Sequence, residues 1–160
     1  MIWHAGIWSI TLWTAGRVPS LVAFGTKRIE ASLLGRLVLE RWGSLPSRFP
    51  DLILDEFAIL PDRFRALAHA ADRHRLERAV TWFKAAVSRE ARVTALSARS
   101  HLWEIGVELH GVVAAEELAS WRRRIRTGRA LGLSGRLPGD ERPPARLQDL
   151  VDASLRQEAW

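Results

Sequence analysis

Two arginines set two positions apart, Arg63 and Arg65, carry the most pointed chemistry in the sequence. On a strand, residues two apart share one face. From sequence alone the pair reads equally as the solvated face of a sheet or as two guanidinium forks suited to a phosphate, each planar, permanently charged and able to bond two oxygens at once. A second group of cations, Arg122, Arg123, Arg124 and Arg126, lies towards the end of a candidate helix. Taken alone, that group reads as a solvated helix face and a partner for the helix dipole before it reads as a contact to nucleic acid. Other routes to chemistry are closed. The sequence has no cysteine and no tyrosine, beside 8 tryptophans and 5 phenylalanines. Disulfides, zinc knuckles, thiol nucleophiles and phenolic nucleophiles therefore have no residue to use. His69 and His74 bracket Asp72 at a spacing that is no recognised metal pattern, and His4, His101 and His110 stand alone. Gly25-Thr26-Lys27 lacks the flanks of a phosphate-binding loop, and Gly132-Leu133-Ser134-Gly135 is no nucleophile elbow. No metal, no cofactor and no catalytic group is expected.

Strands and helices must position the arginines. Residues 5–14 alternate with period two, Ile7, Ser9, Thr11 and Trp13 facing one way and Trp8, Ile10 and Leu12 the other. Gly16-Arg17-Val18-Pro19 breaks that strand. From Lys27 to Trp42 the spacing of Ile29, Leu33, Leu34, Leu37, Val38 and Trp42 predicts a helix, stopped by Gly43 and Pro46. Residues 52–60 read as a second strand, with Leu54 and Ala58 on one face and Ile53, Phe57 and Ile59 on the other. A third, 63–69, follows Pro61-Asp62 closely enough to form an antiparallel hairpin. Asp72 caps a long helix carrying Leu76, Val80, Phe83 and Val87. Short strand signals recur at 102–107 and 109–113, and 116–127 is a helix buried through Leu118, Trp121 and Ile125 and stopped by Gly128. Residues 128–144 have the glycine and proline content of a linker, and 145–160 form a last amphipathic helix through Leu147, Leu150, Val151 and Leu155. The order predicts an α+β fold with helices packed on an antiparallel sheet.

At 160 residues, one domain can bury about 70% of its unfolded surface without a staple. The formal net charge is +6, and Lys27 and Lys84 are the only lysines among its 24 cations. Such a surplus favours an anionic partner, although many basic surfaces bind nothing. No stretch reaches the ~18 apolar residues of a membrane span. Residues 1–14 lack the basic flank and cleavage site of a signal peptide. A cytoplasmic protein with no membrane partner is the expectation. Trp8, Trp13, Trp42, Trp82, Trp103 and Trp121 fall on apolar stripes and read as core or interface anchors, not as platforms for stacked bases. Trp3 and Trp160 stand near the chain ends, and Trp160 is the better candidate for a docking contact.

Leu54-Asp55-Glu56-Phe57-Ala58-Ile59-Leu60-Pro61-Asp62-Arg63-Phe64-Arg65 resembles the central motif of the REP-associated tyrosine transposases, members of the HUH single-strand DNA nucleases. That family writes a strand, Met-Pro-Asn or Met-Pro-Asp, then His-hydrophobic-His. Further segments agree in order. Residues 7–14 with Gly16, Arg17 and Pro19 are similar to its opening strand and Gly-Arg-x-Pro turn, and Arg48-Phe49-Pro50 to the approach to its second strand. Trp82-Phe83-Lys84 through Ser88-Arg89 resembles its Ser-Phe-Lys-Ser-x-x-x-Arg helix, and Leu102-Trp103-Glu104 its Val-Trp-Gln. Glu116-Glu117-Leu118 with Arg123-Arg124-Ile125 resembles its nucleophile helix, which closes on Arg-Tyr-Ile. The likeness covers residues 1–127.

The resemblance implies a ferredoxin-like, HUH-type antiparallel sheet with a C-terminal helical tail appended. It also implies single-strand or hairpin DNA as partner. The departures fall on the chemistry. In the family, the two histidines hold a divalent metal that polarises the scissile phosphate, and the tyrosine attacks it. Here those positions are Arg63, Arg65 and Arg124. A guanidinium has no lone pair for a metal and is no nucleophile. The expectation is an inactive relative that still binds DNA, with Arg63, Arg65, Arg124, Arg122, Arg123, Arg126, Lys84, Arg89 and Arg17 as its phosphate contacts. Its rivals are a scaffold for a protein partner, a homodimer, and a non-catalytic companion to an active transposase.

Overall fold

The computed structural model describes residues 6–24, 29–94, 96, 101–127 and 133–135, of which 24, 29, 126, 127 and 133–135 are described by backbone alone. Strand β1 (Ile7–Trp13) alternates as its sequence predicts. Trp8, Ile10 and Leu12 enter the larger core, and Ile7 enters a smaller core on the opposite face. Strands β2 (Val22–Phe24) and β3 (Ile29–Ala31) pair as a small antiparallel ribbon. Helix α1 (Leu33–Arg48) follows. Helix formation was expected from Lys27, a residue outside the described set. Instead Ile29–Ala31 is strand, and Ser32 is the N-cap, accepting the Gly35 N–H at 3.0 Å. The helix also runs beyond Gly43 and through Pro46, which forfeits one hydrogen bond near its end.

Strands β4 (Ile53–Leu60) and β5 (Arg63–His69) form the expected hairpin, joined through Pro61 and Asp62. The face assignment of β4 needs correction. A bulge between Leu54 and Phe57 places Asp55 and Glu56 opposite the single residue Leu67 and shifts the alternation by one. Leu54 therefore joins Phe57 and Ile59 in the larger core, while Ala58 and Leu60 enter the smaller one. Helix α2 (Arg73–Val93) is capped by Asp72, whose carboxylate accepts the Arg75 N–H at 2.8 Å.

Of the two strand signals after α2, one survives as β6 (Glu108–Gly111). Leu102 to Val107 is not a strand: Trp103 makes one isolated bridge with Thr14, and Gly106 turns the chain at φ +86°. Helix α3 (Ala115–Thr127) has Glu116 and Glu117 in its first turn, favourably placed against the dipole. Leu133–Gly135, inside the expected linker, pairs with β4 as β7. The amphipathic helix predicted over 145–160, the remainder of the 128–144 stretch, and Trp3, His4 and Trp160 lie outside the described residues.

The main sheet is antiparallel throughout, in the order β6-β1-β5-β4-β7. One face carries the larger core, where Trp42 meets Phe64 and Phe83 edge-on at 5.1 and 5.4 Å between ring centres. The other face packs Ile7, Ala58, Leu60, Leu67 and Val112 with Leu118 and Ile125 of α3. Among the described residues, no helix is long and apolar enough to cross a membrane.

Candidate nucleic-acid interface

The hairpin loop places Arg63 at the first position of β5, paired with Leu60 on one side and Trp13 on the other. Arg65 stands between Ala58 and Thr11. Both arginines thus share the α3-side face of the sheet with Thr11 and Trp13. Both are half-buried, and each holds a buried Nε–H with no hydrogen-bond partner among the described residues. Such a donor costs about 1–3 kcal/mol.

Charge concentrates at this end of the face. The Arg65 guanidinium titrates below its ordinary value, first because it is partly buried, then because Arg63 and after it Arg124 repel it; Glu108 and Asp62 oppose the shift. Arg63, Arg65 and Arg124 therefore lie within one electrostatic neighbourhood. Arg63 is steadied by Asp62 at 3.1 Å, and its guanidinium carbon lies 4.8 Å from the centre of the Trp13 ring. Arg17 lies over the same ring at 3.5 Å and bonds Glu104 at 3.3 Å, while the Trp13 indole N–H donates to Glu108 at 3.0 Å. Arg124, exposed on α3, sits 5.1 Å from the Trp121 ring centre.

The other expected contacts separate from this group. Arg122 turns inward to Asp55, with Nη2 and Nε at 2.9 and 3.1 Å from one carboxylate oxygen. Its side chain is 16% exposed and that of Asp55 0%, so this pair fastens α3 to the bulge of β4. Lys84 donates to the carbonyls of Glu104 and Gly106 at 2.9 and 2.7 Å, and burial lowers its pKa. It organises the loop that carries Glu104. Helix α2 belongs to the larger core, on the face away from Arg63 and Arg65, and Arg89 is exposed there. Arg123 is exposed on α3, and the side chain of Arg126 lies outside the described residues.

Sequence reasoning missed Trp13, Glu104 and Glu108 as members of the site. Trp13 had a signal, since alternation puts it beside Thr11; the two glutamates act across separations that no local pattern reports. Among the described residues, no three histidine, aspartate or glutamate side chains group to hold a metal.

A protein from Deinococcus radiodurans R1, assigned as a transposase, superposes with a TM-score of 0.54 at 15% identity, over 76% of this chain and 89% of that one. The chain has a transposase-like fold. A REP-associated tyrosine transposase bound to a REP hairpin matches with a TM-score of 0.49 at 10% identity, over 72% of this chain and 61% of that one. This chain thus spans under two thirds of that transposase's length. No family model and no curated protein matches the sequence. At such identities the likeness is one of fold, and the transposase-like architecture is what positions Arg63, Arg65 and Arg124.

Proposed function

We propose that this chain is a catalytically inert relative of the single-strand DNA tyrosine transposases, and that it binds the phosphates of single-stranded or hairpin DNA with Arg63, Arg65 and Arg124. The observation that carries the reading is the placement of half-buried Arg65 beside Arg63 on one face of the sheet and in the repulsive field of both Arg63 and Arg124. Like charges held together in a partly buried setting raise the free energy of the unliganded protein. A phosphate relieves that repulsion and accepts from the guanidinium forks. The same replacement removes the family's chemistry. Guanidinium groups cannot ligate a divalent ion, and the sequence has no tyrosine to attack a phosphodiester.

Fluorescence anisotropy with a labelled single strand and a labelled hairpin, titrated at rising salt, tests the binding. Each phosphate neutralised contributes about 0.7 to the log–log salt slope on single strands. R65A is expected to weaken binding and lower the slope by about 0.7, and R63A/R65A by about twice that. Wild-type protein that does not bind, or an unchanged slope in the double variant, overturns the reading. Inertness is tested separately: incubation of the hairpin with Mg²⁺ or Mn²⁺ is expected to leave no protein–DNA adduct on a denaturing gel, and an adduct refutes it.

A further inference from the structure

A second cationic site lies at the opposite end of the hairpin, on the face of α1 and α2. The end of α1, the entry to β4, the exit from β5 and the first turns of α2 enclose a cleft of about 470 Å³. Its wall carries Arg48, Arg75 and Arg78 against a single carboxylate, Asp51. Arg75 bonds Asp51 at 2.7 Å and Asp72 at 3.6 Å. Neither Arg48 nor Arg78 has a carboxylate partner among the described residues. Arg48 is held instead by rings, its guanidinium carbon 5.1 Å from the centre of Trp82 and 6.0 Å from that of Phe49. Phe49 meets Trp82 edge-on at 6.1 Å and, with buried Leu52, gives the cleft an apolar side.

We infer that this cleft binds a nucleoside phosphate, either a free mononucleotide or the 5′-phosphorylated end of a strand. Three features favour that class. The volume lies in the range of small-ligand pockets. Two forks without acidic partners suit a phosphate monoester, whose second charge and three terminal oxygens an internal phosphodiester lacks. The apolar side beside Phe49 gives a nucleoside something to pack on that inorganic phosphate cannot use. Seven residues of β5 separate the cleft from Arg63 by roughly 20 Å, and the two sites lie on opposite faces of the sheet, so this inference does not depend on the proposed DNA site.

The test is calorimetry on the whole chain with AMP and with inorganic phosphate, beside anisotropy of 5′-phosphorylated and 5′-hydroxyl oligonucleotides of one sequence. The variant is R48A/R78A, which leaves the Arg75–Asp51 pair intact; a circular dichroism melt confirms that it folds. AMP is expected to bind at least tenfold more tightly than inorganic phosphate and to lose that affinity in the variant, if the ligand is free. A preference for the 5′-phosphorylated strand that vanishes in the variant identifies the strand end. Absence of both selective AMP binding and a 5′-phosphate preference overturns the inference, as does either one surviving in R48A/R78A. The 5′-hydroxyl strand reports the Arg63–Arg65 site independently and is expected to bind wild type and R48A/R78A alike.

Discussion

Glu117 joins β6 to α3 through one carboxylate, which accepts the Val113 N–H at 3.0 Å and contacts His110 Nε2. The Val113 hydrogen bond, helped by His110, holds this carboxyl below the ordinary glutamate range against the opposing effect of partial burial. A folded pKa below the unfolded value of about 4.3 means that the stabilisation is complete above that pH and disappears as pH falls through the folded value. Urea denaturation between about pH 6 and 2 should show E117Q less stable than wild type by up to about 1 kcal/mol at the upper end, the two curves converging at the acid end. Curves that stay parallel would remove Glu117 from the account. At this scale the sequence was most legible where parity alone decides, as with Arg63 and Arg65. It was least legible where partners lie far apart in the chain: Trp13 meets Glu108 across 95 residues and Arg122 meets Asp55 across 67, and nothing local says which of many arginines a buried carboxylate will find.

Helix placement rests on two contacts with opposite chemistry. Gly35 of α1 lies against the buried backbone at Leu21, where an added Cβ would come 2.1 Å from the Leu21 carbonyl oxygen. Alanine is the better helix former by about 1 kcal/mol, but such a clash costs about 1–3 kcal/mol or more. G35A is therefore expected to lower the melting temperature by several degrees, and a rise would contradict the contact. Helix α3 is fixed by the buried Arg122–Asp55 pair. D55A strands a guanidinium that is 16% exposed and should cost about 3–5 kcal/mol in chemical denaturation, whereas D55L/R122M should recover most of that loss. If Arg122 is structural, the double variant also keeps the wild-type salt slope on DNA. Helix α2 was legible because its period is regular and Asp72 marks its start, and the hairpin because Pro61 and Asp62 mark the turn between β4 and β5. The face order within β4 was not, because a bulge changes alternation without leaving a glycine or proline to mark it.

For the whole molecule, the short strand β7 matters more than its length suggests. It covers the outer edge of β4, whose eight residues are all buried. Truncation after Thr127 should bare that edge and shift the protein to larger species in size-exclusion chromatography, and a monodisperse monomer would show that the edge needs no cover. The α+β class followed from the order of elements, but β7 is too short and too rich in glycine surroundings to register as a strand. The sheet order also has a consequence for biosynthesis. Strand β1 sits between β5 and β6, and its Ser9 meets His110, 101 residues downstream. At a ribosome's pace of about 5–20 residues per second, this apolar segment waits roughly 5–20 s for its last neighbour to emerge. During that interval a nascent chain stalled before β6 offers chaperones, or other nascent chains, an unsheltered strand edge that the finished protein keeps between two neighbours.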